Sequence, residues 1–206
     1  MPEIKLVYFD LRGLGEPARL ILTYAKVDFK EDRISMDQWP ELKSKTKTGK
    51  LPYLEYEGHV IVESNAINRF LARKYGLAGK DDFEEALVDG IADVQKDFMA
   101  AVIPWYVKMM GYAPGNPDPL KQECLFESAD QFFPMFTNFL KEGKPGFMAP
   151  SGLTWVDFSI TEWLTTLQNL EPSILNKHPD LKEYIQRVQN VPQLKEYYAK
   201  RPFSKN

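Results

Sequence analysis

The spacing of apolar and polar positions divides the chain into two parts of different character. Ile4 to Phe9 is apolar or aromatic except for Lys5, the pattern of a short strand buried on both faces, as in a parallel sheet. A turn over Asp10 to Gly15 leads to Glu16-Pro17, where proline at a first helical position and a carboxylate in the first turn mark a helix start. Leu20, Ile21 and Tyr24 continue at helical spacing, and Val27 to Ile34 alternates as an edge strand, completing a β-α-β unit. Trp39 to Lys47 is short and lysine-rich and reads as a loop with a helical turn. Leu51 to Tyr56 and His59 to Val62, joined at Glu57-Gly58, predict an antiparallel hairpin. Ser64 is then the N-cap candidate of a helix carrying Ala66/Ile67, Phe70/Leu71 and Lys74/Tyr75 and ending at Gly76. Residues 1–76 are therefore expected to form a small α/β domain with a four-stranded mixed sheet.

A turn-rich linker, placed at 77–83, is followed by no further strand pattern. Leu87, Ile91, Val94, Phe98, Ala101/Val102 and Trp105 step by three and four along a long amphipathic helix. Leu125, Ala129, Phe132, Phe136 and Phe139 form a second stripe, in which Pro134 is expected to kink the helix. Thr154-Trp155-Val156-Asp157 has the form of a capping box, with Asp in place of Glu, opening a buried helix through Ile160, Trp163/Leu164 and Leu167. Two shorter helices are predicted after His178-Pro179 and around Pro192 to Lys200. Residues 84–206 are expected to be an all-helical domain.

Charge and composition narrow the chemistry by exclusion. Lys and Arg number 26 against 29 Asp and Glu, a net charge of −3, which argues against a generally basic nucleic-acid binder. The single cysteine, Cys124, excludes a disulfide framework or CxxC pair, and no apolar run approaches the 18 or so residues of a membrane span. With no signal-peptide pattern at MPEIKLVYFDLRG either, a cytoplasmic protein is expected. His59 and His178 lack metal-ligand spacing, so no metal and no His-based triad are expected.

Gly13-Leu14-Gly15-Glu16-Pro17-Ala18 satisfies the dinucleotide fingerprint on paper, but three residues separate the strand from Gly13 and no second nucleotide-binding half follows. A glycine-eased turn is the better reading. Tyr8, near the C-terminal end of a parallel strand beside a helix N-terminus, is either a core aromatic or a hydrogen-bond donor to a bound anion such as a thiolate. Pro52 enters a strand, and its isomer is not legible from sequence. Ser64 is either a cap or part of an anion cradle, and Lys43, Lys45, Lys47 and Lys50 form the one local basic cluster.

Taken together, Tyr8, Arg12-Gly13, Gly15-Glu16, Arg19, Trp39, Lys43, Leu51-Pro52, Glu63-Ser64, Ala66-Ile67, Gly76-Leu77-Ala78-Gly79-Lys80 and Thr154 to Asp157 resemble the cytosolic glutathione transferases. YFDLRGLGEPARL, QWPELK and LTWVDFSI are most similar to the sigma-like enzymes of nematodes, sometimes set apart as a nu class. The resemblance implies an α/β thioredoxin-like N-terminal domain plus an all-α C-terminal domain, glutathione as co-substrate and a homodimer.

It also implies roles for individual residues. Tyr8 would stabilise the glutathione thiolate; Trp39 and Lys43 would hold the glycine carboxylate, with Lys50 adding charge; Leu51 before a cis Pro52 would pair with the cysteinyl backbone. Glu63 and Ser64 would hold the γ-glutamyl end, and Asp97 would reach it from the other protomer. Hydrophobic electrophiles would lie over Leu14, Val102, Tyr106, Met110 and Phe203. Three departures from the family pattern stand out: Leu14 where many sigma enzymes have Arg, Glu63 for the commoner Gln, and Thr48 where other classes carry an aromatic interface key. The rival expectations are sequestration of haem-like apolar ligands in an open dimer cleft, to which Met99, Met109 and Met110 would lend an adaptable surface, or prostaglandin isomerisation or peroxide reduction with the same thiolate.

Overall fold

The computed structural model describes residues 2–143 and 146–206. Strand β1 (Ile4–Phe9) is followed by a 3₁₀ turn at Gly13–Gly15 and helix α1 (Glu16–Tyr24), then β2 (Lys30–Ile34), the short α2 (Trp39–Lys43), β3 (Tyr53–Tyr56), β4 (His59–Val62) and α3 (Ser64–Tyr75). The sheet order is β2-β1-β3-β4. β1 and β2 are parallel and the other pairs antiparallel, so β1 is central and β2 lies at an edge. Ile4, Leu6, Val7 and Tyr8 are all buried, because α1 and α3 cover one face of the sheet while the turn after β1 folds back over the other end of the strand.

β2 begins three residues later than its alternating pattern. Val27 and Phe29 lie before it and pack against the core from the connecting loop. Ser64 is the first residue of α3 rather than its cap; Glu63 holds that place with a positive φ of 69°, and its side chain makes no capping bond. α3 does end at Gly76, which takes the left-handed conformation (φ 72°) that a Cβ would disfavour.

The rest of the chain is helical: α4 (Asp82–Met109), α5 (Asp118–Leu120), a π-helical turn at Lys121–Glu127, α6 (Ser128–Glu142), α7 (Trp155–Leu170), α8 (Pro179–Gln189) and α9 (Lys195–Lys200). α4 starts within the stretch read as a linker, with the Asp81 side chain accepting the Glu84 N–H at 2.9 Å. Its buried stripe is Val88, Ile91, Gln95, Phe98, Val102 and Trp105, so Leu87, Val94 and Ala101 are only half-buried flanks. Pro134 lies inside α6, which continues as one element through it.

Asp157 anchors the capping box. Its carboxylate accepts from Thr154 N (2.7 Å), Thr154 Oγ1 (3.1 Å), Met148 N (2.9 Å) and Tyr184 Oη (2.8 Å). Complete burial still outweighs these bonds and pushes its pKa up to about 6.

α7 packs behind α1 and α3, and buried ion pairs tie the two parts together. Glu162 on α7 receives Arg12 (2.6 Å) and Arg201 (2.9 Å), while Glu16 on α1 receives Arg19 (2.8 Å) and Arg201 (2.7 Å). Arg19 also pairs with Glu31 and donates to the carbonyls of Leu11 (2.8 Å) and Arg12 (3.3 Å), gripping the turn after β1. Among the described residues no helix is long and apolar enough to cross a membrane.

Candidate functional site

Sheet register assembles the centre of the site. Val7 pairs with Tyr53 and Tyr53 with Val62, so one step further along the same edge sets Tyr8, Pro52 and Glu63 side by side at the ends of β1, β3 and β4. The Leu51–Pro52 peptide is cis. Ligands of open α/β sheets collect at the carboxyl ends of the parallel strands, and Tyr8 is at that end of β1.

The glycines of the turn serve Tyr8. A Cβ on Gly13, where φ is 39°, would stand 2.6 Å from the Tyr8 hydroxyl, and one on Gly15 2.6 Å from Tyr8 Cδ1. The backbone can therefore close over the phenol, and the Leu14 N–H donates to Tyr8 Oη at 3.0 Å. Burial pushes the Tyr8 pKa up to about 12, against the lowering effect of the Leu14 N–H. The phenol is thus neutral near pH 7 and acts as a donor rather than as a base. Its oxygen already accepts a bond, which polarises its own O–H.

Tyr8 opens onto a cavity of about 750 Å³. Phe9, Leu14, Glu63, Ser64 and Asn65 line it from the sheet half; α4 contributes Met99, Ile103 and Tyr106, joined by Tyr112, Trp163 and Asn206. Trp39 does not line this cavity, but it packs edge-on against Phe9, ring centroids 5.4 Å apart. Lys43, Lys50 and Thr48 are exposed, and Lys43 passes beside Gly49. Asp97 is exposed on α4, next to Lys96, which lines the cavity.

Three of the expected electrophile contacts are corrected. Val102 is 0% exposed and belongs to the core stripe of α4, because the cleft lies along Met99, Ile103 and Tyr106, about one residue around the helix. Met110 caps the C-terminus of α4 and does not line the cavity. Phe203 is 82% exposed and also stands outside it. Leu14 and Tyr106 are in the lining as expected.

Met99, Ile103 and Tyr106 follow helical spacing and were legible as a second face of α4. Tyr112, Trp163 and Asn206 come from three other segments with no shared pattern. Arg12 lines the cavity too, but its guanidinium is committed to Glu162 and to Thr166 Oγ1 (2.9 Å). Among the described residues no cluster of His, Cys, Asp or Glu suits a metal ion.

Comparison with known proteins agrees with this geometry. Residues 4–73 match the glutathione S-transferase N-terminal domain and residues 97–201 the glutathione S-transferase C-terminal domain. The chain is 42% identical over 202 residues to glutathione S-transferase 1 of Ascaris suum, covering 98% of each. It is similar to a Nu-class transferase structure from Haemonchus contortus (35% identity, TM-score 0.90, all of both chains covered). It is also similar to a monomeric transferase from the hookworm Necator americanus (38% identity, TM-score 0.93, 99% and 100% covered). A thioredoxin-like sheet ending in a buried tyrosine, an all-helical half that completes the cavity, and relatives matched from end to end place this chain in the glutathione S-transferase family.

Proposed function

We propose that the protein conjugates the thiolate of glutathione to hydrophobic electrophiles. The observation that carries this reading is Tyr8: a buried phenol, neutral to about pH 12, its oxygen held by a backbone N–H and its proton free for a ligand at the mouth of an apolar cavity. A thiolate there takes the phenol's hydrogen bond and lies beside the N-terminus of α1, whose dipole favours an anion.

In this reading Trp39 and Lys43 hold the glycine carboxylate, with Lys50 adding positive charge; Leu51, before cis Pro52, pairs with the cysteinyl backbone; and Glu63 and Ser64 receive the γ-glutamyl end. Leu14 and Tyr106 border the electrophile. Residues 1–76 serve as the glutathione-binding domain, 77–83 as the linker and 84–206 as the domain that shapes the second site. The protein works as a cytoplasmic homodimer in which Asp97 reaches the partner's γ-glutamyl amine, a geometry its exposed position on α4 allows.

The test is retention on immobilised glutathione followed by conjugation of a generic aryl halide. Elution by free glutathione together with turnover is expected. Tight binding of haem-like ligands without turnover would replace this reading with sequestration, and absence of both retention and turnover would end it.

A further inference from the structure

Tyr8 is held by its turn, and the turn is held by Arg19. This side chain leaves α1 and is 1% exposed, yet it does not line the cavity. Its Nη1 donates to the carbonyls of Leu11 (2.8 Å) and Arg12 (3.3 Å), and its Nη2 faces the Phe9 carbonyl at 3.5 Å, so one guanidinium gathers the backbone that joins β1 to Gly13. The guanidinium carbon also stands 5.9 Å from the centroid of the Tyr8 ring. Two carboxylates neutralise it: Nη1 pairs with Glu16 at 2.8 Å, and Nε pairs with Glu31 of β2. Behind them lie Arg201, bonded to Glu16, and Arg33, bonded to Glu31 and Asp10. Stability alone is a poor reason for this cluster, because apolar side chains of the same volume often serve a fold as well as buried ion pairs do. What apolar side chains cannot do is hold carbonyls.

We infer that Arg19 is a positioning residue for the reaction: by fixing the turn after β1 it sets where the Tyr8 hydroxyl sits, and through Tyr8 it sets how strongly a bound thiol is acidified, with Glu31 as its anchor on the edge strand. The inference rests on the transferase reading above. The turn and the phenol move together, since the backbone at Gly13 and Gly15 closes against the Tyr8 ring and the Leu14 N–H bonds its oxygen at 3.0 Å. A turn released from Arg19 therefore loosens the phenol, and a hydrogen bond weakens steeply as its geometry is lost. Misplacement by about 1 Å can cost about a hundredfold in rate. The charge of Arg19 works in the same direction. Burial firms the hold of Tyr8 on its proton, and the phenols of Tyr106 and Tyr112 add to that hold; the Leu14 N–H and the Arg19 guanidinium oppose it.

The experiment titrates the thiol of bound glutathione by its ultraviolet absorbance in the wild type, Arg19→Lys, Glu31→Gln and Tyr8→Phe, and in each of the first two variants combined with Tyr8→Phe; Tm is recorded for all. Lysine keeps the charge but offers one compact ammonium, which cannot span two carbonyls and two carboxylates. In Arg19→Lys the titration is expected to move up by about half a unit or more, towards that of Tyr8→Phe, and in Glu31→Gln by less in the same direction. Combined with Tyr8→Phe, neither variant moves it further. A folded Arg19→Lys with the wild-type titration overturns the inference. So does a shift that persists in full without the Tyr8 hydroxyl, since a merely structural role would not depend on that oxygen. Should Arg19→Lys fail to fold, Glu31→Gln decides by the same two criteria; where Arg19→Lys shifts and Glu31→Gln does not, the anchor role of Glu31 alone is overturned. A wild type that does not bind glutathione, or binds it with the titration of a free thiol, defeats the transferase reading itself and this inference with it.

Discussion

Tyr8→Phe removes one oxygen and one proton from the centre of the site. The ring keeps its place beneath Gly13 and Gly15, and the Leu14 N–H loses only the acceptor that Tyr8 Oη provides. A hydrogen bond to a charged acceptor contributes about 1.5–3 kcal/mol, which corresponds to about one to two units of thiol pKa. With an ordinary thiol near 8.5, bound glutathione should titrate near 7 in the wild type and near 8.5 in the variant, taking the middle of that range.

Near pH 6.5 the thiolate fraction then drops from about a quarter to about one hundredth. The more basic thiolate is intrinsically more reactive, with a Brønsted slope of about 0.4–0.5, and this returns about fivefold. The net expectation is a loss of about fivefold near pH 6.5, curves that cross near pH 8, and a variant about fourfold faster than the wild type above pH 9. Tyr8 itself stays protonated across this range, with its pKa pushed up to about 12, so the wild-type profile is free of its titration. The assay is single-turnover conjugation against pH, together with the ultraviolet absorbance of the bound thiolate. A variant with an unmoved thiol titration, or slower by one constant factor at every pH, would refute the donor role.

Three further outcomes follow from the same packing. Gly15→Ala sets a methyl group 2.6 Å from Tyr8 Cδ1, so turnover should fall at least tenfold while circular dichroism stays native; full activity would show that the ring yields freely. Asp157→Ala leaves the buried Met148 and Thr154 N–H groups and the Tyr184 hydroxyl without their carboxylate, at about 1–3 kcal/mol each; a fall in Tm of about 6 °C or more is expected by calorimetry. Glu162 keeps one arginine in either Arg12→Met or Arg201→Met and none in the double variant. The double should therefore lose more than the sum of the singles, by about 1–3 kcal/mol in denaturant unfolding, and strict additivity would contradict the shared-carboxylate geometry.

What the sequence alone determined is local. The β-α-β and β-β-α order, the cap at Gly76, the capping box at Thr154 and the two long helices are written in spacings of two, three and four, which act between near neighbours. Tyr8 and Ser64 are legible as candidates from their places at a strand end and a helix start, while Leu14, Glu63 and Tyr106 are expected from the family resemblance; all five line the cavity. Val102 was misassigned because a stripe of apolar residues looks the same facing a core or a cleft, and only the packing of α4 against the rest of the helical half decides between them. The Gly13 and Gly15 pair spells a nucleotide fingerprint in one dimension; in three it is the space a phenol ring occupies. The ion pairs Arg12–Glu162 and Arg201–Glu16, and the bonds from Asn206 to Tyr106 and Tyr112, join residues 94 to 185 positions apart. No periodicity reaches that far. Such contacts exist only once hydrophobic burial has brought these distant segments together, and tertiary structure alone chose them.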